Sequence, residues 1–131
     1  MKKIISIIAV AVFLFAGCAK EGLGGDATLA VFPQHHGAAI YSTATYKDSV
    51  FIKFNAKEIP ADPTHDYDAL FVGEVGENHI HCEELKWGDY SVFCTGWDTT
   101  INQRVKGGIL TKIKRKDRKD EVDLEVPVTE E

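Results

Sequence analysis

His79-Ile80-His81-Cys82-Glu83-Glu84-Leu85-Lys86-Trp87-Gly88-Asp89-Tyr90-Ser91-Val92-Phe93-Cys94-Thr95-Gly96-Trp97-Asp98 reads as two strands meeting at a glycine corner. Side chains alternate across a strand, so residues two apart share a face. Tyr90, Val92 and Cys94 therefore point one way, and their apolar character marks that way as inward. On the preceding run Ile80 and Cys82 take the inward face, while His79, His81 and Glu83 point out. Gly88 can adopt a backbone conformation closed to other residues and turn the chain between two layers. The Tyr90 hydroxyl can then bond back to the corner backbone, as in a tyrosine corner.

The same period of two recurs on both sides of this stretch. Strands are expected over residues 28–32, 50–55, 67–72, 79–85, 90–95, 109–115 and 122–126, with a short extra strand at 38–42. Pro33 closes the first strand and Pro127 the last. Seven short strands in about 100 residues are the pattern of an all-β, seven-stranded antiparallel β-sandwich spanning residues 27–131. Two longer connections, 34–48 and 56–66, interrupt them. The second is stiffened by Pro60 and Pro63.

The N-terminus does not belong to that pattern. Met1-Lys2-Lys3 is cationic, the next twelve residues are apolar apart from Ser6, and Ala16-Gly17-Cys18 offers small residues at a cleavage site. This reads as a signal peptide over residues 1–17, too short to be a spanning helix. Phe15-Ala16-Gly17-Cys18 resembles the lipobox of bacterial lipoproteins, with Phe15 where leucine is usual. The resemblance implies cleavage before Cys18 and acylation of its thiol and new amino group, an anchor of more than one chain. An ordinary secretory leader with a cysteine nearby is the plainer alternative. Residues 18–26, with three glycines, read as a flexible tether. Ala19 after the cysteine, rather than Asp, implies by the same resemblance sorting to the outer membrane of a two-membrane bacterium.

Losing Lys2 and Lys3 with the leader lowers the 15 Lys and Arg to 13 against 20 Asp and Glu, and the formal charge from −5 to −7. An acidic domain is a poor partner for nucleic acid, which needs a basic surface. The basic run at 112–119 carries Asp117 within it and Asp120 and Glu121 just after it, as a solvated hairpin end does.

Leu85-Lys86-Trp87-Gly88-Asp89-Tyr90-Ser91-Val92 resembles the Leu-x-Pro-Gly-x-Tyr-x-Leu corner of prealbumin-like (transthyretin-like) sandwich modules, with Trp87 where proline is frequent. That group includes the carboxypeptidase regulatory-like and collagen-adhesin B-type domains. The mature chain looks like small bacterial lipoproteins of this type. The features that carry the likeness are Val50-Phe51-Ile52-Lys53-Phe54-Asn55, His79-Ile80-His81 and Gly88-Asp89-Tyr90. The resemblance implies a fold and leaves activity open, because such modules host many roles.

Chemistry is carried by cysteines and histidines. Cys82 and Cys94, both inward, read either as a disulfide suited to an oxidising compartment or as two buried thiols. His79 and His81, two apart on one strand face, could chelate an ion. His35 and His36 from the loop after the first strand could complete a Zn or Cu site. Solvated polar residues on an exposed face are the competing reading. Asp62, Asp66 and Asp68 with His65 lack the spacing of a calcium loop. No Gly-x-Ser-x-Gly, phosphate loop or dinucleotide fingerprint is present. Hydroxyisourate hydrolase is an enzyme on a prealbumin-type fold, and its C-terminal Tyr-Arg-Gly-Ser is absent here. The expectation is a non-enzymatic, lipid-anchored envelope module. It would bind a protein or glycan partner, with Trp97 a candidate for stacking on sugars, or dock by an apolar edge on a larger complex. The alternative is a metal-binding lipoprotein.

Overall fold

The computed structural model describes residues 20–131, and Cys18 and the leader lie outside them. The described residues form eight strands: β1 (Leu23–His35), β2 (Ala38–Ala39), β3 (Ser49–Phe54), β4 (Ala69–Val72), β5 (Ile80–Leu85), β6 (Gly88–Asp98), β7 (Gln103–Ile113) and β8 (Glu121–Glu130). One 3-10 turn, Arg115–Asp117, links the last two. The strands lie in the order β2-β1-β8-β7-β6-β3-β4, and β5 pairs with β1.

The all-β expectation holds, but the sheet is mixed rather than wholly antiparallel. β1 and β8 run parallel, from Thr28 opposite Glu121 to His35 opposite Val128. Period-two alternation says which side chains share a face and carries no information on strand direction, so the sequence pattern could not reveal this pairing. β8 leaves β1 near its end and pairs Thr129 and Glu130 with Lys106 and Val105 of β7. It thereby joins two arms, and the sheet curls until their inner faces share one core. Gly107 leaves room for the junction: a Cβ there would stand 2.2 Å from the Pro127 carbonyl oxygen.

The core gathers the inward residues of both arms. Leu29 and Val31 of β1, Ile80, Cys82 and Leu85 of β5, Val50 and Ile52 of β3 and Tyr90, Val92 and Cys94 of β6 are all buried. Burying each larger aliphatic side chain contributes about 1.5–3 kcal/mol. The inward set read from the opening stretch is therefore correct, and His81 and Glu83 are exposed as expected. Gly88 has φ +140°, which favours glycine. Tyr90 makes the corner bond: its hydroxyl donates to the Lys86 carbonyl and accepts from the Gly22 N–H at 3.0 Å.

That second bond overturns part of the tether expectation. Within the described part of 18–26, Leu23 already pairs with Leu85 at the start of β1. The Lys86 N–H donates to the Gly22 carbonyl at 2.8 Å. The glycines that suggested a flexible linker instead allow close approach: a Cβ on Gly25 would stand 2.3 Å from the Leu85 carbonyl oxygen. Proline did not end the first and last of the long strands either. β1 runs through Pro33 to His35, and β8 through Pro127 to Glu130.

Candidate functional site

His35 was expected in a loop, and the extension of β1 changes its surroundings. It keeps the inward parity of Leu29 and Val31 and is 4 % exposed. From the opposite arm Asp98 keeps the inward parity of Tyr90, Val92 and Cys94. The two meet at one end of the core, His35 Nδ1 to Asp98 Oδ2, at 2.7 Å. The other carboxylate oxygen accepts from the Thr100 N–H at 2.9 Å and from its hydroxyl at 2.6 Å. The Thr100 hydroxyl, followed by His35 and the Thr100 N–H, depresses the Asp98 carboxyl to about 2. The Asp98 hydrogen bond, opposed by burial and reinforced by the nearby Glu130 carboxylate, raises His35 from its ordinary value.

After His35 the chain reverses through His36 and Gly37, both at positive φ (52° and 78°), and Ala38 pairs with His35. This two-residue hairpin, with both central residues left-handed, sets the His36 ring 4.2 Å from the His35 ring. Glu130, near the end of β8, faces both. Its carboxylate is 3.3 Å from His35 Nε2 and 3.9 Å from His36 Nε2. The shorter contact has ion-pair distance without hydrogen-bond alignment, so His35 Nε2 is buried with no hydrogen-bond partner. Among the described residues, His35, His36 and Glu130 form the one group of three potential metal ligands whose donor atoms lie within 4.8 Å of one another.

His79 and His81 lie elsewhere. Their rings face outward together, centroids 4.6 Å apart. The β1–β5 register sets Val31 opposite Ile80, so the His79 ring lies tilted beside that of Phe32, centroids 5.1 Å apart. His35 lies three residues further along β1 and on the other face of the sheet. The four-histidine constellation expected from the sequence is therefore split into two pairs. His81 Nε2 is 3.1 Å from a Glu121 carboxylate oxygen, and His79 Nδ1 is 2.8 Å from Asn78 Oδ1. The carboxylates of the 56–66 connection and just beyond are also engaged: Lys53 holds Asp66 at 2.9 Å, and Asp68 accepts from the Phe54 N–H at 2.7 Å.

Cys82 and Cys94 are free and fully buried in this structure, and no bridge joins them. Burial pushes both thiols far up, which makes them inert small apolar groups. Near them the sequence reading missed Asp48, fully buried just before β3. Neither of its carboxylate oxygens has a hydrogen-bond partner. Burial, partly offset by Ser42, raises this carboxyl to about 6.

The outer face of β3, β6 and β7 carries an open groove of about 440 Å³. Phe51 and Phe93 line its floor, and the 61–64 loop lines one side. Tyr46 stacks on Trp97 at 4.1 Å with the rings 6° from parallel. The Trp97 Nε1–H donates to Asn102 Oδ1 at 3.2 Å. Lys47, Arg104 and Lys106 bring three cations to the groove, and Glu131 lies 3.6 Å from both Arg104 and Lys106. Outward parity put Phe51 and Phe93 on one face, but only the strand order made them neighbours across β3 and β6. Comparison with family models, curated proteins and solved structures finds no match, so the site is read from this chain's own geometry.

Proposed function

We propose that the chain is a non-enzymatic binding module of the bacterial cell envelope, held through Cys18 to the outer membrane, with a glycan bound along the groove on β3, β6 and β7. The observation that carries this reading is the groove itself. Aromatic surface at Phe51, Phe93 and Tyr46 suits the apolar faces of sugar rings, and Lys47, Arg104 and Lys106 suit their hydroxyl or acidic groups. The leader and lipobox-like residues support the anchor. The Gly88–Tyr90 corner supports assignment to the prealbumin-like sandwich type.

Glycan-array binding by the full chain tests the reading. Binding that falls at least tenfold in both Trp97→Ala and Phe93→Ala supports it. No bound glycan, or binding indifferent to both changes, refutes it. Labelling with a fatty-acid analogue, lost in Cys18→Ser, tests the anchor separately. A second reading, docking on a larger envelope protein, is favoured by the edge strand β4. Leu70 and Val72 there, and Val75 just beyond, are 44–56 % exposed. Co-purification with one envelope protein after mild crosslinking, abolished by Val72→Lys, would select it.

A further inference from the structure

We propose that the end of the curled sheet where β1, β6 and β8 meet is a divalent transition-metal site, with His35, His36 and Glu130 as ligands and Asp98 as the group that orients His35. This goes beyond the glycan reading and does not rest on it.

Three observations carry the proposal. The first is the state of His35. Its Nδ1 lies 2.7 Å from a carboxylate that can only accept, so Nδ1 carries a proton and Nε2 is the nitrogen left to face the cluster, where a bound ion would take its lone pair. That nitrogen is buried and unpartnered. A buried polar nitrogen without a hydrogen-bond partner is costly unless another group meets it, and a metal ion would do so. The second is the support behind the ring. Asp98 is pinned by two bonds from Thr100, and a carboxylate behind an imidazole is the usual way of fixing a metal-binding histidine. The third is convergence. The three donor atoms already lie within 4.8 Å of one another, and tetrahedral ligands at 2.0–2.1 Å from an ion stand about 3.3 Å apart. The remaining closure is within reach of His36 and Glu130, whose side chains are 78 % and 44 % exposed.

The donor set selects the ion. Two imidazoles and one carboxylate suit Zn(II) and its neighbours, whereas Ca(II) and Mg(II) prefer oxygen alone. Three protein ligands leave a fourth position open to water or an outside ligand. The competing arrangement is a doubly protonated His35 held between Asp98 and Glu130. That arrangement takes up no ion, so metal titration separates the two.

Zn(II) titration of the full chain, purified without a histidine tag and in competition with a chromophoric chelator, tests the site. One Zn(II) per chain is expected. His36→Ala and Glu130→Gln alter exposed side chains and should each weaken binding at least tenfold. Asp98→Asn should weaken it about 10–100-fold by loosening His35. His81→Ala should leave it unchanged. Substitution by Co(II) should give the absorption of a four-coordinate ion in the wild type and lose it in His36→Ala. The proposal is overturned if the wild type binds no stoichiometric Zn(II). It is equally overturned if binding survives the combined His36→Ala and Glu130→Gln changes, or disappears with His81→Ala instead.

Discussion

Replacing Asp48 by asparagine should remove a contribution to stability that falls as pH rises, the direction opposite to ordinary acid denaturation. Asp48 is fully buried, with neither carboxylate oxygen hydrogen-bonded, and its carboxyl titrates near 6 in the folded state against an ordinary 3.8. Below pH 3.8 both states hold the proton and the group contributes nothing to pH dependence. Between 3.8 and 6 the unfolded chain releases its proton while the folded chain keeps it, so stability falls as pH rises. Above 6 the loss is complete. At 1.36 kcal/mol per pKa unit it amounts to about 3 kcal/mol as an upper bound. Asparagine has nearly the same shape and no charge to bury. Urea unfolding of wild type and Asp48→Asn at pH 4 and pH 8 isolates the effect, because other titrating groups are common to both and cancel. The difference between them should move in the variant's favour by up to about 3 kcal/mol from pH 4 to pH 8. A difference constant with pH would refute the reasoning. A movement in the other direction would mean that a cation or donor stabilises the ionised carboxylate.

Other outcomes follow from the corner, the sheet junction and the thiols. Tyr90→Phe leaves the Gly22 N–H and the Lys86 carbonyl without their partner and should cost about 1–3 kcal/mol in urea unfolding; a loss under 0.5 kcal/mol would reduce Tyr90 to a packing residue. Gly107→Ala sets a Cβ against the backbone of β8, which has little room to yield, and should cost about 1–3 kcal/mol, whereas an unchanged midpoint would show that the arms can part there. Neither Cys82 nor Cys94 should be alkylated in the native protein, and both should be in denaturant without reductant. Mass spectrometry showing two unlabelled cysteines after that treatment would establish a bridge.

The inward half of the 79–98 stretch was legible because alternation fixes faces locally. Ile80, Cys82, Tyr90, Val92 and Cys94 needed no partner strand to be assigned. The corner was legible for a similar reason: Gly88 and Tyr90 act within four residues of Lys86, whose carbonyl closes the bond. The same parity, carried two steps past Cys94, would have turned Asp98 inward, and carried past Val31 it would have turned His35 inward. Pro33 hid the second case. A proline lacks one donor but did not stop β1 from running on beside β8.

Strand partners and strand direction belong to the tertiary structure. His35 and Asp98 are 63 residues apart and meet only because the two arms close over one core. Glu130 joins them because β8 runs parallel to β1 and then crosses to β7, a pairing on which residue periodicity is silent. The same strand order separates His79 and His81 from His35 and His36, and it sets Phe51 beside Phe93 in the groove. The sequence by itself determined which side chains turn inward and where the chain bends, because those follow from local backbone geometry. Which side chains meet at the sheet's end, and which surface gathers the aromatics, was decided by long-range pairing alone.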